Sequence, residues 1–247
     1  SRFSERKFPS LINPLGVLFN PISISETLTM SHVDQQLDVE REGNDCNFLF
    51  QNSNVSDSVL SEFQKSAQKS DVIFITLGTA FVYLHKDTRK VVANCHKQPK
   101  ELFEKKLMSI EEIVVAIKKV KDYYPKQKIV LTISPVRHIK EGLVNNQLSK
   151  SILRVAVQEL LDSRTFYFPS YEMIVDDLRE YRFFESDLIH PNGVAEEYIW
   201  NKIVEVFFNP STKKEIIQIE KLINRLNHRI VDPSSSSSKT FIRKLQE

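Results

Sequence analysis

Asp71-Val72-Ile73-Phe74-Ile75-Thr76-Leu77 is a short, unbroken run rich in β-branched residues, and a run without polar alternation suits a strand covered on both faces in a parallel sheet. Lys128-Ile129-Val130-Leu131-Thr132-Ile133-Ser134 has the same character. Each reads as a central strand. Between them Ile110, Ile113, Val114, Ile117 and Val120 recur at helical spacing behind Ser109 and Glu112, the Ser-x-x-Glu of a capping box. That is a crossover helix. Working outward, Ile152, Val155, Ala156 and Leu160 form an apolar stripe within Ser149–Leu161, and Thr165–Phe168 reads as a third strand. Asn192 is placed to cap another helix that buries Val194, Tyr198, Ile199, Ile203 and Val206. The alternation predicts an α/β fold, a mostly parallel sheet sandwiched by helices, with a ligand crevice at the carboxyl ends of the strands.

At 247 residues, with 41% hydrophobic and 27% charged content, the chain is long enough for one sizeable core. Residues 1–210 read as one domain and 211–247 as a peripheral helix followed by a Ser-rich tail. Thirty-four basic against 32 acidic residues leave a formal charge of +2, too balanced for a phosphate-binding stripe. Nucleic acid is therefore not an expected partner. The five glycines are too scattered for a dinucleotide or nucleotide-phosphate loop. Cys46 and Cys95 have no paired-ligand spacing, and adjacent Cys95 and His96 rarely chelate one ion. No metal and no cofactor are expected. No apolar run approaches a membrane span, so the visible chain reads as soluble, with no membrane partner and a cytoplasmic location favoured.

Three polar clusters follow the strands or precede the last core helix: Gly78-Thr79, Ser134 to His138, and Asp187-Leu188-Ile189-His190. All are expected at one edge of the sheet. An Asp three residues before a His, on a turn, lets the carboxylate accept from Nδ1–H and leaves Nε2 as a base. A purely structural turn beside a helix cap is the alternative reading of the same residues. Arg137 and His138 are likewise open to a structural role, paired with Asp176, Asp177 or Glu172.

Several strings then recur in one order: Asn13 to Pro21 (NPLGVLFNP), Val92 to Lys97 (VANCHK), Ser134 to His138 (SPVRH), Ser149-Lys150, Phe168 to Glu172 (FPSYE), Asp176 to Arg179, Tyr181 to Phe183 and Asp187 to His190. In these the chain resembles the GSCFA family. The resemblance implies a three-layer αβα sandwich of the SGNH-hydrolase, flavodoxin-like kind, and a Ser, an Asp-x-x-His pair and a Gly/Asn oxyanion hole that hydrolyse esters. It casts His190 as general base and Asp187 as its orienting partner. Gly78, through its backbone N–H, and Asn94, through its side-chain amide, become the candidate oxyanion donors. His96, Lys97, Arg137 and His138 become candidate substrate-binding residues. The expected function is a serine-type ester hydrolase or acyltransferase acting on a small-molecule or carbohydrate ester; the alternative is an inactive binding module that keeps the pocket. The family's Gly-Ser-Cys-Phe-Ala string, which resembles a nucleophile block, is echoed only faintly by Ser1-Arg2-Phe3-Ser4-Glu5. The expectation is a chain that starts downstream of the nucleophile, with Ser1 as an eroded remnant the less favoured reading.

Overall fold

The computed structural model describes residues 2–6, 8–12, 16–29, 57–92 and 99–226. Two compact units emerge, Leu11–Ile199 and a second made of Ser1–Ser10 with Trp200–Glu247. Among the described residues, six helices of eight or more residues occur: α1 (Pro21–Thr29), α2 (Asp57–Lys69), α3 (Ile110–Tyr123), α4 (Leu143–Leu160), α5 (Gly193–Phe207) and α6 (Pro210–Leu226). The strands are β1 (Val72–Leu77), β2 (Phe81–His85), β3 (Val91–Val92), β4 (Phe103–Leu107), β5 (Lys128–Ile133) and β6 (Thr165–Tyr167). The architecture is helix-rich α/β.

The first unit is built on the parallel sheet β1-β5-β6, with Val72 opposite Lys128 and Ile129 opposite Thr165 in register. The helix α3 starts where the capping box places it: Ser109 Oγ accepts from Glu112 N at 3.2 Å and Glu112 Oε2 accepts from Ser109 N at 2.9 Å. Its Ile113, Ile117 and Val120 are fully buried. Tyr124, just past its end, donates its hydroxyl to Leu28 O at 2.7 Å and so fastens α1 to the same core.

Two expectations need correction. β5 is central and buried on both faces, but β1 is an edge among the described strands, and its Val72 and Phe74 are 40% and 41% exposed. An unbroken apolar run does not reveal how many neighbours a strand has. The stripes of two helices were also phased wrongly. In α4 the inward face is Asn146, Ser149, Lys150, Leu153, Ala156, Val157 and Leu160, while Val155 is exposed. In α5 Ala195 and Trp200 are buried, whereas Val194 and Val206 face solvent.

A second sheet, antiparallel in the order β3-β2-β4, interrupts the crossover between β1 and α3. Its edge strand β4 reads Phe-Glu-Lys-Lys-Leu, with only Phe103 buried. Such a segment is a strand because Phe81 to His85 offers it a ladder, since intrinsic preference there is weak.

The other unit gathers Phe3, Phe8, Trp200 and Phe208 into an aromatic cluster, with Phe3 and Trp200 edge-to-face at 5.1 Å between centroids. Arg6 is buried there, over the Trp200 ring at 4.7 Å and ion-paired through Nε with Glu220 at 2.6 Å. The pairing satisfies a charge that burial alone would penalise.

Candidate functional site

The chain reverses at the carboxyl end of β1 through Gly78, where Phe19 crosses so closely that a Cβ on residue 78 would stand 3.0 Å from Phe19 O. Only glycine admits that approach without displacement. The Gly78 and Thr79 amides both donate to Phe19 O, at 2.7 and 3.0 Å. The Gly78 N–H, expected to face an oxyanion, is thus engaged by Phe19 in this state.

Lys150 joins the strand ends. Only 1% exposed, it donates from Nζ to Gly78 O at 2.6 Å and to Ser134 O at 2.7 Å. Burial pulls its pKa down to about 8. Ser149, one residue earlier, accepts from Ala80 N at 2.8 Å. Sequence spacing assigns neither residue a role beyond its place in the Ser149-Lys150 string. Their signal was positional: Asn146, Ser149 and Lys150 occupy the same face of α4 as Leu153, Ala156 and Val157, so polar side chains point inward where a core stripe should continue.

His138 places Nε2 3.1 Å from Gly78 O. Because a carbonyl only accepts, Nε2 carries the hydrogen. Burial, then the Lys150 charge, hold this imidazole below the ordinary histidine value. The shift favours the neutral ring, in which Nδ1 is the acceptor.

Asp187 and His190 come together as their spacing predicted. Asp187 Oδ1 accepts the backbone N–H groups of Ile189 at 2.8 Å and His190 at 3.0 Å, and Oδ2 lies 2.6 Å from His190 Nδ1. These donors, the His190 backbone N–H foremost, bring the Asp187 carboxyl down to about 2. An ionised carboxylate only accepts, so Nδ1 holds a proton, and the neutral tautomer this selects carries its lone pair on Nε2. No described residue bonds to Nε2. The His190 and Asp187 side chains are 57% and 42% exposed, so a reacting group reaches Nε2 without rearrangement of the turn. Leu188, between them, has φ 59°, a left-handed conformation uncommon outside glycine and asparagine.

The turn is held from both sides. Phe184 pairs with Pro191 as an isolated antiparallel bridge, and Glu185 N donates to His190 O at 2.8 Å. Phe184 belongs to a small buried cluster with Ile174, Leu178 and Ala195. Asn192 caps α5 by accepting from Val194 N at 3.1 Å and Ala195 N at 3.2 Å. Arg137, three residues after Ser134, lays its guanidinium 4.8 Å from the Phe184 ring centroid. The His190 turn is thereby linked to the segment that follows β5.

The alternative pairings of Arg137 and His138 with Asp176, Asp177 or Glu172 are not formed. Asp177 accepts from Tyr198 at 2.8 Å, and Glu172 accepts from Tyr167 at 2.6 Å and pairs with Arg154 at 3.4 Å. Asn94, His96 and Lys97 lie outside the described residues. Among the described residues, no group of three or more His, Cys, Asp or Glu could hold a metal ion. No helix among them is long and apolar enough to cross a membrane. A cavity of about 420 Å³ between α1 and α3, lined by Ile22, Glu26, Val115 and Lys119 among others, contains none of the site residues.

No curated protein and no solved structure matched the chain. The family model described as "GSCFA family" matches residues 1–203. With the Asp-x-x-His turn, the buried Ser149-Lys150 pair and the strand-end segments all inside that span, the chain belongs to the GSCFA family.

Proposed function

We propose that the protein is a serine-type ester hydrolase or acyltransferase of SGNH type, built on a three-layer αβα sandwich and acting on a small-molecule or carbohydrate ester. The observation that carries this reading is the His190 imidazole, oriented through Nδ1 at 2.6 Å from Asp187 and open at Nε2. In the proposed reaction Nε2 takes the proton of a serine hydroxyl as its oxygen attacks the ester carbonyl. Collapse of the tetrahedral adduct breaks the ester C–O bond, and the imidazolium returns the proton to the departing alcohol. Water or an acceptor hydroxyl then attacks the acyl-serine with His190 again as base, which restores the serine. Asn94 is proposed as an oxyanion donor; Gly78 could join it only if its N–H left Phe19 O. His96, Lys97, Arg137 and His138 are proposed to line the substrate crevice.

The test is turnover of p-nitrophenyl acetate by the full product of the gene, including any residues encoded ahead of Ser1, beside its His190→Ala variant. The expected result is a loss of about 10³-fold or more in kcat/KM, the range for removal of a general base. Equal rates would remove the hydrolase reading and leave the binding module.

A further inference from the structure

We propose that Arg137 is the specificity-determining residue of this site and selects substrates that carry an anionic group, a carboxylate or a phosphate, close to the bond that reacts. That the substrate is an ester rests on the hydrolase reading; the anion site stands on geometry alone.

Arg137 is half-buried, and among the described residues its guanidinium lies over aromatic faces, Phe184 at 4.8 Å and Tyr181 at 5.7 Å from the ring centroids. Stacking on a ring uses the guanidinium's flat face and leaves its five N–H donors in the plane. Among the described residues none of those donors meets a hydrogen-bond acceptor, and no carboxylate lies within ion-pair distance. Of the acidic groups that could have paired with it, Glu172 is committed to Tyr167 and Arg154, Asp177 to Tyr198 and Asp187 to the His190 turn, while Asp176 forms no ion pair with Arg137. An arginine held on a platform without an acceptor is a fork already oriented for a bidentate anion. Structural arginines in this molecule look different. Arg6, equally stacked, closes its circuit with Glu220 at 2.6 Å.

Arg137 also lies close in structure to the His190 turn. The ring beneath Arg137 belongs to Phe184, which is paired to Pro191, the residue after His190. An anion seated on the fork therefore brings its attached group alongside the His190 turn. Among the described residues at the strand ends, Lys150 is spent on two carbonyls and His138 Nε2 on Gly78 O, whereas Arg137 keeps donors to offer an anion.

The experiment measures binding of succinate and of inorganic phosphate to the full gene product by calorimetry. Parallel titrations use Arg137→Lys and Arg137→Met, with melting temperatures checked for each. The expected result is saturable binding of one anion or both, weakened at least fivefold in Arg137→Lys and at least tenfold in Arg137→Met. The tighter of the two identifies the recognised group. Should Arg137→Met fail to fold, Arg137→Lys decides, because it keeps the charge and loses the fork. Absence of binding, or equal binding by wild type and variants, overturns the proposal. Arg137-dependent binding together with an inert His190 would sustain the anion site while removing the hydrolase reading, so the two ideas fail separately.

Discussion

Lys150 and His190 are held under opposite conditions: Lys150 is 1% exposed and bonded to two carbonyls, whereas the His190 side chain is 57% exposed and no described residue bonds to its Nε2. The buried lysine ties two strand ends together, and charge in that position is retained only because two carbonyls receive it. The exposed histidine contributes little to the core, and no described residue occupies its Nε2. The difference teaches which polar residues of the site build it and which are free to act. Variants should separate accordingly.

The largest effect is expected on the exposed side. His190→Ala should cost about 10³-fold or more in ester turnover while the melting temperature stays within a degree or two, since the removed ring is mostly in solvent. A melting temperature that fell with activity would erase the contrast. Lys150→Met should behave in the reverse sense, with a loss of ~3 kcal/mol in chemical denaturation, the scale of losing charged hydrogen bonds to buried carbonyls. Unchanged stability would show that the lysine is not a structural tie.

The Asp187–His190 pairing was legible because its information is local. Asp187 to His190 is a four-residue turn whose hydrogen bonds close within itself. The capping box of α3 and the apolar run of β5 are equally local, and the structure forms them where the sequence placed them. The exposure of β1, the polar strand β4 and the inward Lys150 depend on residues far away in the chain, and no window of sequence contains their partners. The phase of α4 was misread for the same reason: three polar residues hid the upper half of its inward face.

Glu26 sharpens the comparison from a third position, one where a buried polar atom has no partner. Its Oε2 is buried and unbonded among the described residues, and burial pushes the carboxyl up to about 7, against the lowering influence of Lys119 and Lys90. A folded-state pKa above the unfolded value means that the folded protein binds the proton more tightly. The associated stability is present below the ordinary glutamate value and is lost as pH rises toward 7. We expect a decline of about 2 kcal/mol between pH 4.5 and 7 from this group, measured by urea titration and absent in Glu26→Gln. Asp187 acts with the opposite sign: its lowered pKa contributes stability above the ordinary aspartate value that is lost as pH falls toward 2.

The smallest expected change is at the cap behind the turn. Asn192→Ala removes the acceptor for Val194 N and Ala195 N and should cost ~1 kcal/mol. Its effect on turnover should exceed that of Ser109→Ala, which removes a comparable cap on α3, because Asn192 also donates to Arg182 O at 2.7 Å and so helps close the His190 loop. Equal effects on turnover would mean that the loop holds its shape without the cap.

The central claim is that His190, oriented by Asp187, activates a serine. Labelling the full gene product with a fluorophosphonate and locating the adduct by mass spectrometry tests it most directly, because the reagent reports the activated hydroxyl itself. The account predicts one labelled serine, no labelling in His190→Ala and a strongly reduced rate in Asp187→Asn. Labelling that proceeds equally in His190→Ala, or no labelled serine in the wild type, would contradict it.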